Sequence, residues 1–171
     1  LDRLREHANT SFSPARHPVR SLILVPTREL AVQVDEAIRT YGRSVPLRSS
    51  VVYGGVPIEP QTKVLLAGVE ILVATPGRLL DHVQQRTVNL GQVSILVLDE
   101  ADRMLDIGFR PDIERILKRC PADRQTLLLS ATVPPPIAKL AERYMRSPET
   151  LNFSPKDVAV ETIEQFYFTV D

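Results

Sequence analysis

Five short apolar runs alternate along this chain with longer segments whose apolar residues recur at helical spacing. The runs cover residues 21–25, 49–53, 71–74, 95–98 and 126–129. Between them the spacing predicts helices over residues 29–41, 57–67, 78–85, 111–119 and 136–145, and one more after residue 98 that breaks near Gly108. Nearly continuous apolar strands separated by helices are typical of a parallel sheet covered on both faces. The pattern therefore predicts a single α/β domain.

The two ends of the chain are less regular than its middle. Residues 1–8 are typical of the end of a helix, and residues 9–20 of a loop rich in proline and polar side chains. Residues 151–153 predict a short strand, and residues 163–170 predict an extended segment that leads out of the domain.

The composition limits the class of protein but does not indicate which partner it binds. The chain has 171 residues, 43% of them hydrophobic, which suits one domain with a sizeable core. Basic and acidic residues are equal at 21 each, so any nucleic-acid site has to be a local patch. No apolar run approaches the roughly 20 residues that span a bilayer. These features predict a cytoplasmic protein with no membrane partner.

The single cysteine, Cys120, excludes an internal disulfide and favours a reducing compartment. Its basic neighbours Lys118 and Arg119 favour a lowered thiol pKa. No spacing of histidine and asparagine around it indicates a nucleophile, so we predict a structural role.

A polar or glycine-rich motif follows each of the five apolar runs. In chain order these motifs are Pro26-Thr27-Arg28-Glu29-Leu30, Gly54-Gly55, Thr75-Pro76-Gly77-Arg78, Asp99-Glu100-Ala101-Asp102 and Ser130-Ala131-Thr132. In open parallel sheets, ligands bind just beyond the carboxyl ends of the strands. Asp99 and Glu100 at that edge can hold a divalent cation and orient a water, although an acidic first turn would also suit the dipole of the following helix.

The five motifs in this order resemble those of the first RecA-like domain of DEAD-box ATP-dependent RNA helicases, a branch of helicase superfamily 2. The resemblance covers nearly the whole chain. It implies that Asp99 binds Mg²⁺ on ATP, largely through water, and that Glu100 polarises the water that attacks the γ-phosphate. It also implies that Asp102 hydrogen-bonds to Ser130 and Thr132 and thereby links the nucleotide state to strand separation.

The same resemblance implies that the other three motifs hold RNA. The implied RNA-binding residues are Thr27, Arg28, Gly54, Gly55, Thr75, Pro76, Gly77 and Arg78. Thr27 and Arg28 begin a helix whose free amides suit a phosphate, and the two glycines after the second strand allow a sugar-phosphate backbone to come close. Thr75 is expected to cap the next helix while Gly77 and Arg78 face a phosphate. Such contacts predict little sequence specificity, with 2′-hydroxyl contacts favouring RNA over DNA.

Two parts of the family pattern are absent from the sequence. The phosphate loop G-x-x-x-x-G-K-[ST] is missing, since none of the four lysines follows a glycine. A glutamine motif that reads adenine is missing as well. We therefore interpret residues 1–160 as a first RecA-like domain that is incomplete at its N-terminus. Residues 161–171 then begin a linker toward an absent second RecA-like domain. The missing N-terminal strand is expected to leave a sheet edge or core face uncovered, and the piece is therefore expected to be poorly stable unless more chain is present.

These 171 residues alone are predicted neither to bind ATP tightly nor to hydrolyse it, because a phosphate loop supplies most of the grip on the β- and γ-phosphates. The check is an ATPase assay on the isolated piece. Activity that disappears in Glu100→Gln would contradict the prediction.

Two other functions remain open at this point. A truncated relative of the same fold could serve as a non-catalytic RNA-binding or protein-interaction module, with its acidic motif purely structural. A DNA helicase of the same superfamily is the other alternative, which Asp-Glu-Ala-Asp together with Pro-Thr-Arg-Glu-Leu disfavours because both typify the RNA branch.

Overall fold

The computed structural model of this protein describes residues 1–5, 8, 10–11, 13–14 and 17–152. Within these residues a sheet of five parallel strands is formed by β1 (Ser21–Leu24), β2 (Ser49–Val52), β3 (Ile71–Ala74), β4 (Ile95–Leu98) and β5 (Gln125–Leu128). The helices are α1 (Asp2–Arg5), α2 (Arg28–Tyr41), α3 (Glu59–Leu66), α4 (Pro76–Gln84), α5 (Ala101–Asp106), α6 (Arg110–Leu117) and α7 (Pro135–Tyr144). The predicted α/β fold with a parallel sheet is confirmed.

The predictions for the chain ends were less accurate. Among the described residues, helix α1 covers Asp2–Arg5 and Ala8 is not helical, so the helix predicted over residues 1–8 is too long. Leu151 and Asn152 belong to no strand, so the strand predicted over residues 151–153 is wrong at these two positions. Residue 153 and the extended segment predicted over residues 163–170 lie outside the described residues.

The strands lie in the order β2-β3-β1-β4-β5, which places β1 at the centre of the sheet. Every residue of β1 and β3 is buried, because neighbouring strands and helices surround them. Strand β5 lies at one edge and alternates in exposure, with Leu127 38% exposed and Leu129, just beyond the strand, 48% exposed. That a missing strand leaves a sheet edge or core face uncovered stays a prediction.

Helices pack on both faces of the sheet, because side chains of successive strand residues point to opposite sides. Leu22 and Leu24 of β1 join a buried cluster with apolar side chains of α4, α5, α6 and α7. Ile23 and Val25 join a second cluster with apolar side chains of α1 and α2. The motifs that follow the strands are therefore carried on a sheet fixed from both sides.

The helix predicted after β4 breaks near Gly108, and the structure confirms this break. Helix α5 ends at Asp106 and α6 begins at Arg110. Gly108 has a φ of 96°, in the left-handed region that glycine adopts without steric cost. The break lets α6 turn onto α4 and complete the larger core cluster.

A polar cluster is buried where β3 begins, opposite the edge that carries the motifs. The Glu70 carboxylate contacts Nδ1 of His17 through Oε1 and accepts a hydrogen bond from the Arg48 amide through Oε2 at 2.9 Å. Nε2 of His17 lies 2.6 Å from the Ser11 carbonyl oxygen. Both side chains of the His17–Glu70 pair are almost fully buried, so the pair joins the segment before β1 to the start of β3.

Cys120 is a buried free thiol that belongs to the larger core cluster. Burial raises its pKa to about 11, and the nearby Arg124 only partly opposes this shift. The expected lowering of the pKa by basic neighbours is wrong, because the loss of hydration outweighs their charge. No helix in the described part of the chain is long and apolar enough to cross a membrane.

Candidate functional site

The motifs that follow the strands all meet at one edge of the sheet, because parallel strands end on the same side. The strand order divides this edge into two neighbouring regions. Strands β2, β3 and β1 lead into the three motifs with predicted RNA contacts, and β4 and β5 lead into the acidic motif and Ser130-Ala131-Thr132. The first three motifs along the chain therefore lie in one region and the last two in the other, although the strands of the first region lie in an order that differs from the chain order.

Asp99 and Glu100 lie where β4 ends, and both are partly buried. The Asp99 amide donates to the Leu24 carbonyl oxygen at 2.9 Å, which fixes its backbone against β1. Oδ1 of Asp99 accepts a hydrogen bond from the Glu100 amide at 3.0 Å. A carboxylate accepts about four hydrogen bonds or ligand contacts in total, so Asp99 keeps capacity for a hydrated cation.

Glu100 has a strained backbone that the sequence did not predict. Its φ of 49° and ψ of 51° are left-handed, which costs a residue with a side chain roughly 1–2 kcal/mol. The bend takes the chain directly from β4 into α5, where the Ala101 amide donates to the Leu129 carbonyl oxygen at 3.0 Å. Oε2 of Glu100 accepts from Nη1 of Arg103 at 3.1 Å. Strain of this kind concentrates at functional sites, which supports Glu100 as a candidate.

Asp102 contacts both Ser130 and Thr132, as the sequence led us to expect. Its Oδ2 accepts hydrogen bonds from the Thr132 amide at 2.9 Å and from the Thr132 hydroxyl at 2.8 Å. The Ser130 hydroxyl accepts from the Asp102 amide at 3.2 Å and donates to the Thr132 carbonyl oxygen at 2.6 Å. These contacts join α5 to the loop after β5, while the coupling role of the cluster stays a prediction.

The contact between Asp102 and Thr132 is expected to survive at neutral pH and to break only in acid. Hydrogen bonds from Thr132, its side-chain hydroxyl first, lower the pKa of Asp102. The contact is therefore complete above the ordinary aspartate pKa of about 3.9 and is lost as the pH falls through the lower pKa of the folded state. The Thr132 amide shift in an NMR titration should report this midpoint, with Asp102→Asn as the flat control. A midpoint above the ordinary value would contradict the assignment.

Thr27 and Arg28 start helix α2 in the predicted manner. The Thr27 hydroxyl accepts a hydrogen bond from the Leu30 amide at 3.3 Å and so caps the helix. Helix geometry leaves the amides of Arg28 and Glu29 without an intrahelical acceptor at this end of the helix. The guanidinium of Arg28 is exposed and lies over the Tyr53 ring, with Cζ 5.1 Å from the ring centroid. A phosphate in this region could therefore be bound by backbone amides and by the Arg28 side chain together.

Gly54 and Gly77 stand at positions where the fold itself does not demand glycine. A Cβ built on either would meet no atom of the described residues within 4 Å. Both keep ordinary φ values, whereas Gly55 has a φ of 78° and needs glycine for its backbone. Open space over Gly54 and Gly77 suits the close approach of a ligand backbone.

The motif after β3 differs from expectation. Thr75 is buried and, within the described structure, its side chain makes no capping hydrogen bond to α4, so the predicted cap is wrong. Helix α4 starts instead at Pro76, which needs no amide partner there. The side chain of Arg78 is only 11% exposed, and its Nη2 donates to the Val56 carbonyl oxygen at 2.9 Å. Direct contact of Arg78 with phosphate stays a prediction, and the structure shows a contact with the loop after β2.

Sequence analysis missed two residues at this edge. The side-chain amide of Gln61 in α3 accepts from the Tyr53 amide at 3.3 Å and donates to the Tyr53 carbonyl oxygen at 3.1 Å. Tyr53 also supplies the ring under Arg28. An aromatic residue directly before Gly-Gly was a visible signal, but no local pattern indicates the glutamine.

The fold and the arrangement of motifs along one sheet edge define a RecA-like domain. The chain belongs to the DEAD/DEAH box helicase family, whose family model matches residues 4–140. The predicted family is thereby confirmed.

Named relatives and solved structures agree with this assignment. The ATP-dependent RNA helicase CshA of Listeria monocytogenes is 49% identical over 152 residues, which are 89% of this chain and 29% of that protein. The DEAD-box ATP-dependent RNA helicase CshA of Bacillus subtilis is 44% identical over 159 residues, 93% of this chain and 32% of its own. The chain thus spans about a third of the length of these relatives.

Solved structures share the fold as well. A hypothetical ATP-dependent RNA helicase from Sulfolobus tokodaii matches with a TM-score of 0.72 and 39% identity, over 77% of this chain and 39% of that one. The yeast DEAD-box splicing factor Prp28 matches with a TM-score of 0.71 and 36% identity, over 76% of this chain and 31% of that one.

Proposed function

We propose that this chain is part of an ATP-dependent RNA helicase that couples ATP binding and hydrolysis to RNA binding and local duplex separation. The observation that carries the proposal is the divided sheet edge, with carboxylates beyond β4 and candidate RNA-backbone contacts beyond β1, β2 and β3. The names of the relatives, which are ATP-dependent RNA helicases, support it. A second RecA-like domain as partner belongs to the same proposal.

The nucleotide side of the edge suits magnesium and an attacking water. Among the described residues no three histidine, cysteine or carboxylate side chains cluster as a metal cage. Mg²⁺ on a nucleotide usually needs only one or two carboxylates, since it keeps several waters and binds phosphate oxygens, so Asp99 fits as its water-mediated ligand. When bound, the ion would neutralise charge on the phosphates. Glu100, fixed beside Asp99 by its bent backbone, would orient the water.

Asp102 would couple the nucleotide side of the edge mechanically to the loop after β5. It lies two residues after Glu100 and holds Thr132 through two hydrogen bonds. A shift of α5 on ATP binding would therefore move the loop after β5. This loop is exposed at Ala131 and Thr132 and so is accessible to a partner domain.

RNA would lie across the ends of β1, β2 and β3 and be held through its backbone. The supporting features are the exposed Arg28, the first turn of α2 and the open space over Gly54 and Gly77. Apart from the Arg28 guanidinium, these features offer a nucleic acid only backbone amides and open space, which contact a sugar-phosphate backbone, so we propose little sequence specificity. A cytoplasmic location is part of this proposal, supported by the buried free thiol of Cys120.

Arg28→Ala is expected to weaken RNA binding and to reduce the slope of log affinity against log salt by about one, because one phosphate contact is lost. RNA affinity measured at several salt concentrations, in the protein of natural length, checks this. Arg43→Ala is the matched control, since Arg43 is exposed beyond the far end of α2, about 20 Å along the helix axis. Equal affinity and slope in Arg28→Ala and wild type would remove Arg28 from the RNA site.

A further inference from the structure

The loop between β2 and α3 carries Gly54 and Gly55, and it is held at both ends by side chains from other elements. Glycines give a loop many backbone conformations, so a defined shape needs outside restraint. Gly54 and Gly55 are both exposed, and no regular element includes them. The restraint comes from Gln61 on one side and Arg78 on the other.

Gln61 acts on the residue directly before the glycines. Its side-chain amide makes one donated and one accepted hydrogen bond with the backbone of Tyr53. Strand pairing ends one residue earlier, at Val52 opposite Ala74, so Gln61 extends the backbone pairing of β2 beyond the sheet. A side-chain amide can donate and accept at the same time, whereas the carboxylate of a glutamate at this position would accept only.

Arg78 holds the other side of the loop. Its Nη2 donates to the carbonyl oxygen of Val56, one residue after Gly55. The guanidinium is largely buried and also lies 3.5 Å from Oδ2 of Asp81. The Gly54-Gly55 turn is therefore fixed between two anchored backbone positions, Tyr53 and Val56.

Tyr53 also reaches the motif after β1. Strand β3 separates β2 from β1, so a contact between their ends has to cross about 9–10 Å of sheet. The Tyr53 ring makes this crossing and lies under the guanidinium of Arg28. A cation held over an aromatic ring is attracted to it, which restricts a long side chain that is otherwise free to move.

We propose that Gln61 and Tyr53 are positioning residues for the RNA backbone. Gln61 holds the Gly54-Gly55 turn through the Tyr53 backbone, and the Tyr53 ring holds Arg28. A single pair of residues thus sets the distance between two contacts that receive neighbouring parts of one sugar-phosphate chain. The inference rests on the proposed RNA-binding function and adds to it two residues that carry no charge themselves.

The test compares substitutions between uncharged side chains, so that the net charge of the protein stays constant. Gln61→Met keeps the length of the side chain and removes both hydrogen bonds, and Gln33→Met in α2 is its exposed control. Tyr53→Leu removes the ring, Tyr53→Phe keeps it, and Tyr41→Leu is the exposed aromatic control. Affinity for labelled oligouridine is measured against salt in the protein of natural length, at a temperature well below each variant's thermal midpoint.

Gln61→Met and Tyr53→Leu are expected to weaken binding by about three- to tenfold, with a salt slope equal to wild type because no phosphate contact is removed. Tyr53→Phe should restore wild-type affinity. Arg28→Ala, measured in parallel, should lower both affinity and slope. This difference in slope separates a positioning residue from one that touches phosphate.

Three other results would contradict the positioning role of these residues, the proposed RNA site, or the role of the Tyr53 ring. If Arg28→Ala weakens binding while Gln61→Met and Tyr53→Leu match their controls, the positioning role is overturned and the proposed function stands. If Arg28→Ala and both of these variants leave RNA binding unchanged, the inference and the proposed RNA site are overturned together. A loss of affinity in Tyr53→Phe equal to that in Tyr53→Leu would overturn the role of the ring.

Discussion

Replacing Glu100 with glutamine is expected to lower RNA-stimulated ATP hydrolysis by about 10²–10⁴-fold, the usual contribution of a positioned general base. The amide keeps the size of the side chain but does not accept a proton from water at neutral pH. Affinities for ATP and RNA should stay near wild type, since Asp99 and the groups beyond β1, β2 and β3 are unchanged. The measurement is phosphate release with and without RNA, in the protein of natural length.

The strained backbone at Glu100 makes this substitution a clean one. Glutamine pays the same steric cost of the left-handed conformation as glutamate, so folding stability should change by less than about 0.5 kcal/mol. Glu142→Gln, on the exposed side of α7, is the matched control. Hydrolysis in Glu100→Gln at the rate of this control would show that another group orients the water, and equal activity with single-stranded DNA would favour a DNA helicase.

The parts of the fold that depend on local pattern could be predicted from the sequence. Strand β3 was predicted with its true bounds and β1 within one residue, since a buried parallel strand is a continuous apolar run between breakers. The break at Gly108 was visible because glycine in a helical pattern marks a left-handed turn. The five motifs were found because each follows a strand, and parallel strands bring their carboxyl ends to one edge.

Features that depend on distant contacts could not be predicted. No local pattern shows that β1 lies between β3 and β4, and so the closeness of the Thr27-Arg28 motif to the acidic motif became visible only in the structure. Gln61 was missed because its hydrogen-bond partner is the backbone of Tyr53. Nearly all residues have the same backbone groups, so the sequence does not indicate which of them a side chain binds. The left-handed backbone of Glu100 contradicts the conformational preference of the residue itself, so no local pattern indicates it.

Two errors have a common physical cause. The predicted cap by Thr75 and the predicted low pKa of Cys120 both rested on sequence neighbours. In the structure both residues are buried, where the surrounding core decides which groups a side chain can reach and how costly a charge is. Neighbours along the chain are a poor guide at positions that the fold removes from water.

The buried pair of His17 and Glu70 carries the largest stability prediction. Glu70→Ala is expected to destabilise the chain by about 3–5 kcal/mol, because it leaves a buried histidine without its charged partner and the Arg48 amide without an acceptor. Glu70→Gln keeps an acceptor for Arg48 and the size of the side chain, so it should cost less, about 1–3 kcal/mol. Urea unfolding followed by circular dichroism gives both differences.

Glu36→Ala is the control for this prediction, because Glu36 is an exposed glutamate of α2 and should change the free energy of unfolding by less than about 0.5 kcal/mol. The order of the three variants is the informative result. If Glu70→Ala lowers the free energy of unfolding no more than Glu36→Ala does, water must reach the site of the pair and form the hydrogen bond that His17 would otherwise lack. The expected order would instead show that the segment before β1 is anchored to β3 and supports the central strand from which Thr27 and Arg28 emerge.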